Sequence, residues 1–296
     1  MASNARTAMT IVCLFTRSAA CAAQIMPFEK NGLEAYAVVL KPKTGGEVWA
    51  YVYLPPKQPK PAPLALILPI LGAPNLWTEE QFALTMADHG LASAILFFPQ
   101  QFHRRTFLEV SSGFLFLGRS TATLAANFDQ SLKDVEFFLD WFNQEGRGQF
   151  GGRIDAGKMG ILGTSLGSLI GSVAMAHDQR LKAGVFLLGG ADPAWIVAYG
   201  SLTKKMARKI GVTYDDLVKA LEPFDLSRQE AQWNNRPVLL VEAIWDAIIP
   251  KHSRQLLKRA IPHAKTIWVP AGHYTSLLHM FWIKGRAASF LQENLK

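Results

Sequence analysis

Two hydrophobic rhythms alternate along this chain from about residue 33 onward. Residues 33–40 and 47–54 change side by twos, with Trp49, Tyr51 and Tyr53 interleaved with Val48, Ala50 and Val52. Alternation flanking Thr44-Gly45-Gly46 predicts an antiparallel hairpin. A proline-rich linker, 55–63, follows. The runs at 64–68, 91–98, 159–162, 183–188 and 238–242 are then almost wholly apolar, as in strands covered on both faces. Another strand-like run spans 265–269. Between these runs the period lengthens to three or four residues. The clearest case is 121–142, where Leu124, Phe128, Leu132, Val135, Leu139 and Phe142 recur on one face. Residues 79–88, 165–176, 251–260 and 276–295 also read as helices. Strand and helix in alternation predict right-handed crossovers and an α/β domain with a mostly parallel sheet.

Two segments interrupt the rhythm. Residues 100–119 are aromatic and basic by turns. Residues 192–235 are about twice as long as a crossover needs. Trp195, Val197, Leu202, Met206, Ile210, Leu217, Val218 and Leu221 predict two or three helices there. That segment reads as a helical cap over the sheet's carboxyl edge; the alternative is an elaborated crossover packed on the sheet.

The first residues have another character. Arg6, the apolar stretch 9–15 and the small residues Ser18-Ala19-Ala20-Cys21-Ala22-Ala23 describe an export leader over 1–23, although Arg17 interrupts its end. The main domain is then 24–296 and the protein is periplasmic, secreted or lipid-anchored, the alternative being cytoplasmic. Ser18-Ala19-Ala20-Cys21 resembles a bacterial lipobox with Ser in place of the usual Leu, which makes Cys21 a candidate lipid anchor. The only cysteines, Cys13 and Cys21, lie in this leader. No disulfide is therefore expected in the mature domain, and no Cys-His spacing suggests a zinc site.

Composition narrows the class further. With 49% hydrophobic and 18% charged residues, the chain of 296 can bury a large core and is no disordered polymer. No apolar run reaches about 18 residues, which excludes a polytopic membrane protein. The formal charge of +8 suggests affinity for anionic surfaces. No nucleic-acid-binding module accompanies it, so no nucleic-acid partner is expected. The densest basic stretch, Lys204-Lys205-Met206-Ala207-Arg208-Lys209, reads as a solvated helix face.

The chemistry centres on Gly163-Thr164-Ser165-Leu166-Gly167, between an apolar strand and a small-residue helix. A turn that tight leaves no room for side chains at Gly163 and Gly167. It strains the serine and lifts its hydroxyl above the sheet. The helix N-terminus beneath favours a developing negative charge. A serine hydroxyl needs a base, and the base an orienting acid. Of seven histidines, His273 follows the strand-like run 265–269 through Pro270-Ala271-Gly272, which puts it at the sheet's carboxyl edge. His89, His177 and His263 lie at or near helix ends; His103, His252 and His279 are candidates for packing or a pocket. Asp246 follows the strand 238–242 and again sits at a carboxyl end, where open α/β sheets gather catalytic groups. Asp192 is the second candidate acid, and Glu242 reads as part of a strand.

Ser165, Asp246 and His273 stand in the nucleophile–acid–base order of the α/β-hydrolase superfamily. From about residue 33 to the end, the chain resembles an esterase-like member. The matching pieces are Gly163-Thr164-Ser165-Leu166-Gly167, Asp246-Ala247-Ile248-Ile249-Pro250 and Gly272-His273-Tyr274-Thr275-Ser276. The resemblance implies a three-layer fold with a mostly parallel sheet of about eight strands, an N-terminal antiparallel hairpin and a helical cap. The chain departs from the family after the strand 64–68, where Pro69-Ile70-Leu71 stands in place of the usual His-Gly. Aligning Pro69-Ile70 with His-Gly makes the amides of Leu71 and Leu166 the oxyanion donors.

The expectation is a serine hydrolase cleaving carboxylic esters through an acyl-enzyme, with no metal or organic cofactor. Phe102, Phe107, Phe114, Phe116 and Trp195 suggest a small-molecule ester with an apolar acyl part; Arg104 and Arg105 read as solvated, the alternative being contact with an anionic part of the substrate. A peptidase or amidase, an acyltransferase and an inactive ligand-binding relative share the same residues. A dehalogenase would carry Asp in place of Ser165.

Overall fold

The computed structural model describes residues 14–17, 21–43, 46–71, 75–99, 114–229, 231 and 233–296. Thr44-Gly45, the segment 100–113 with Phe102, His103, Arg104, Arg105 and Phe107, and most of the leader lie outside the described residues, as does the side chain of Phe114. The ten strands among the described residues are β1 (Leu14–Arg17), β2 (Cys21–Lys30), β3 (Leu33–Pro42), β4 (Val48–Tyr53), β5 (Ala62–Leu68), β6 (Ala92–Leu96), β7 (Ile154–Thr164), β8 (Leu181–Leu187), β9 (Val238–Ala243) and β10 (Lys265–Val269). The principal helices are α1 (Trp77–Asp88), α2 (Thr121–Trp141), α3 (Leu166–His177), α4 (Pro193–Tyr199), α5 (Lys204–Lys209), α6 (Tyr214–Leu221), α7 (Lys251–Ala260) and α8 (Met280–Asn294).

All strands join one sheet in the order β1-β2-β3-β4-β6-β5-β7-β8-β9-β10. The first four run antiparallel as a meander, and β4 meets β6 antiparallel. From β6 to β10 every pairing is parallel. The expected hairpin is β3–β4. The strands beyond the expected eight lie before it, and β2 pairs with β3 along ten residues, from Cys21 opposite Pro42 to Lys30 opposite Leu33. Two residues, Asn31 and Gly32, close that hairpin with φ of 52° and 77°. Positive φ at both central positions matches the right-handed twist of the strands, and Asn-Gly adopts it at least cost. Cys21, Ala22 and Ala23 of this strand belong to the segment read as leader.

The apolar runs are apolar because both sheet faces are covered. In β5, Leu64, Leu66 and Leu68 enter one core and Ala65 and Ile67 the other. In β9, Val238 and Leu240 part in the same way from Leu239, Val241 and Ala243. The first core is closed by α2, α3 and α7, through Phe128, Phe138, Ile170 and Leu257. The second is closed by α1 and α8, through Phe82, Met86, Ala287 and Leu291. These are the three expected layers. Ser120 caps α2 by accepting a hydrogen bond from the Thr123 amide. No helix among the described residues is long and apolar enough to cross a membrane.

The order β6-β5-β7 positions the site. From β5 the chain crosses to one side, to β6, and from β7 it crosses to the other, to β8. The connections leaving β5 and β7 diverge and open a crevice at their carboxyl ends. Pro69 follows β5 there, and Ser165 follows β7.

Candidate active site

Ser165 joins β7 to α3 with φ 54° and ψ −111°, a conformation that costs an L-residue about 1–3 kcal/mol. The neighbouring backbone imposes it. A Cβ on Gly163 would stand 2.1 Å from the Gly167 carbonyl oxygen, and one on Gly167 would stand 2.2 Å from the Leu68 carbonyl oxygen. Both distances are far inside van der Waals contact, so only glycine fits on either side of the turn. The Ser165 amide donates to the Leu187 carbonyl at 2.8 Å, which ties the turn to the next strand.

His273 comes to this serine from the far end of the sheet. Its Nε2 lies 3.0 Å from Ser165 Oγ, and its Nδ1 lies 2.7 Å from Asp246 Oδ2. The Asp246 side chain is fully buried, and its other oxygen accepts the amides of Ile248 and Ile249 at 2.8 and 2.9 Å. One carboxylate therefore pins its own loop and orients the imidazole. An ionised carboxylate can only accept, so Nδ1 of a neutral His273 carries the proton and Nε2 turns its lone pair to the serine. Ser276 Oγ donates to the His273 carbonyl at 2.6 Å and steadies the loop.

Leu71 and Leu166, the expected oxyanion donors, line the same pocket as Ser165 and His273. Leu166 is the first residue of α3, where amides have no partner within the helix. After β5, the Ile70 amide donates to Glu79 Oε1 at 3.0 Å. That bond commits the Ile70 amide and leaves Leu71 as the next donor along the chain. Glu79 is 1% exposed in the first turn of α1, and among the described residues its Oε2 has no hydrogen-bond partner. Burial pushes its carboxyl up to about 7, against the pull of the Ile70 amide. Nothing in the sequence distinguishes Glu79 from Glu80, which pairs with Lys30; only the helix phase against the loop does.

The pocket over Ser165 and His273 is apolar. Leu117, Phe128, Leu169, Ile196, Val197 and Ile249 are among its walls, and no Asp, Glu, Lys or Arg lines it among the described residues. Thr203, also at the wall, spends its hydroxyl on the Ile196 carbonyl at 2.7 Å.

The same arrangement of sheet and helices recurs in solved structures. A thermostable esterase from Pseudomonas putida ECU1011 superposes with a TM-score of 0.62 at 12% identity, over 90% of this chain and 84% of that one. The esterase domain of a Rhodothermus marinus protein gives 0.59 at 17%, over 88% and 99%. An acylaminoacyl peptidase of Pyrococcus horikoshii gives 0.61 at 12%, over 98% of this chain and 51% of that one. The fold is that of the α/β-hydrolases. No family model matches this chain. A sequence relative, "Putative esterase YitV" of Bacillus subtilis (strain 168), is 30% identical over 106 residues, which span 33% of this chain and 40% of that protein.

Within this α/β-hydrolase fold the remaining candidates take other places. Asp192 is in the left-handed region and caps α4: Oδ1 accepts the Trp195 amide at 2.9 Å and Oδ2 the Tyr214 hydroxyl at 2.8 Å. It ties α4 to α6. Trp195, expected at the pocket, packs on Tyr199, Tyr214 and His252 instead. Its position at the third residue of α4 turns it away from the face that carries Ile196 and Val197 to the pocket wall. Of the expected aromatic lining, Phe116 is buried beside Phe98 and Phe128. Glu242 is buried within β9, with Arg254 at 3.9 Å. His89 bonds the Thr85 carbonyl at the end of α1, His177 meets Gln229, and His263 meets the Arg236 carbonyl. His279 packs on Trp282.

Proposed function

We propose that this protein is a serine hydrolase that cleaves carboxylic esters of apolar acyl groups. The observation that carries the reading is the continuous hydrogen-bonded chain Ser165–His273–Asp246 beneath a pocket that has no charged wall among the described residues. His273 Nε2 takes the hydroxyl proton as Ser165 Oγ attacks the carbonyl carbon. The Leu71 and Leu166 amides receive the negative charge that develops on the carbonyl oxygen. Asp246 holds the imidazole in position and stabilises its protonated form. His273 then gives the proton to the departing alcohol, which leaves an acyl group on Ser165. Water, deprotonated by His273, attacks that acyl group and restores the serine.

The pocket favours an apolar acyl part, because a charged group would lose its hydration against walls that, among the described residues, are apolar. The inserted helices α4 to α6 act in this reading as a cap, since α4 and the turn after it supply part of the wall. The test compares wild type with Ser165→Ala, using a fluorophosphonate probe and matched p-nitrophenyl esters and anilides. Labelling and ester cleavage are expected in wild type alone. Faster cleavage of the anilides would move the assignment to an amidase. Folded wild type that neither labels nor cleaves would make the scaffold a binding protein.

A further inference from the structure

The rim of the pocket has a composition that hydrolysis of a soluble ester does not need. Leu202, Tyr274 and Leu277 line the pocket and are at the same time exposed, so they form its mouth. Leu278 and Phe281 continue this apolar edge outward, each 75% exposed, and follow Leu277 by one and four residues. From Leu202 at the mouth, α5 begins two residues on, no more than about 7 Å along the backbone. Four of its six residues, Lys204, Lys205, Arg208 and Lys209, are cationic and form no ion pair among the described residues. From Tyr199 to Leu221 the inserted helices carry five cations against two carboxylates, Asp215 and Asp216.

Scattered exposed hydrophobics need no explanation, but a contiguous set around a pocket mouth marks an interaction surface. Apolar residues that enter a lipid layer, flanked by cations that meet its headgroups, are the chemistry of an interfacial surface. We propose that the pocket mouth seats on an anionic lipid surface, with Leu278 and Phe281 inserted and α5 against the headgroups. If the chain is the esterase argued above, its substrate enters from that layer rather than from bulk water.

The test uses the full chain with Ser165→Ala, so that binding is read without turnover. Sedimentation with phosphatidylglycerol vesicles is expected to pellet the protein. Phosphatidylcholine vesicles and high salt are expected to release it. Adding Lys205→Glu with Arg208→Glu, or Leu278→Ser with Phe281→Ser, should weaken binding about tenfold or more. In an otherwise wild-type chain, both pairs should leave hydrolysis of a soluble short-chain ester unchanged. Absence of binding to phosphatidylglycerol overturns the proposal, and so does equal binding to phosphatidylcholine. A concentration-dependent dimer in light scattering that Leu278→Ser with Phe281→Ser abolishes would assign the rim to a second copy of the chain. Failure to cleave any soluble ester sinks the hydrolase reading and leaves the vesicle result standing.

Discussion

Glu79 is a buried acid whose cost can be read from its titration. Its carboxyl is pushed from an ordinary value of 4.5 up to about 7, chiefly by burial. Between those values the unfolded chain releases a proton that the native state keeps. Stability contributed by this residue is therefore present below pH 4.5 and is lost as pH rises through 7. At about 1.36 kcal/mol per pH unit, the loss amounts to ~3 kcal/mol. In Glu79→Gln the side-chain oxygen can still accept the Ile70 amide, but there is no charge to bury. The variant should match wild type within about 1 kcal/mol at pH 4.5 and exceed it by ~3 kcal/mol at pH 8. Urea unfolding of both proteins at the two pH values measures this, and the double difference cancels every titration they share. Glu79→Ala is the control. It removes the carboxylate acceptor of the part-buried Ile70 amide and should lose about 1–3 kcal/mol relative to Glu79→Gln at either pH. A difference between Glu79→Gln and wild type that does not change with pH would refute the reasoning.

Other substitutions probe the site directly. Asp246→Asn can keep its two backbone hydrogen bonds through Oδ1 but presents an amide to His273 Nδ1, which favours the wrong tautomer. Its kcat should fall by roughly 10⁴ with an unchanged circular dichroism spectrum; a fall below tenfold would remove Asp246 from the mechanism. Gly167→Ala places a methyl 2.2 Å from the Leu68 carbonyl oxygen and should cost about 3 kcal/mol or more in thermal or urea unfolding, with loss of probe labelling. Ser165→Gly removes both the proposed nucleophile and the side chain strained at φ 54°. It should abolish labelling yet raise stability by about 1 kcal/mol, and a destabilised variant would show that the turn stores no strain.

What the chain announced locally and what it concealed divide on physical grounds. Period-two alternation in 47–54, the apolar run 64–68 and the heptad-like spacing of 121–142 each reflect how many faces of one element are covered. Those patterns were enough for a doubly covered parallel sheet. Gly163 and Gly167 were also legible, because a strand-to-helix turn excludes side chains by local sterics alone. Asp246 and His273 could be singled out by their place after strands. Asn31-Gly32 is an equally local hairpin signal, while the first residues of β2, Cys21-Ala22-Ala23, have the small-residue character of a leader.

The rest needed the assembled molecule. That β7 lies beside β5 rather than β6 depends on packing over the whole sheet, and the crevice under Ser165 exists only through that order. The sequence separations of 27 between Asp246 and His273, and of 108 between His273 and Ser165, carry no distance information until the strands are in register. Trp195 and Ile196 are neighbours of similar hydrophobicity, yet one helix phase sends Ile196 to the pocket and Trp195 into an aromatic cluster. Glu79 and Glu80 are chemically identical, and the loop after β5 alone decides which is buried and holds the Ile70 amide. Local sterics and periodicity are properties of a few adjacent residues and can be written in sequence. Burial, distance and titration are properties of neighbours brought from elsewhere, and for this protein only the tertiary structure supplied them.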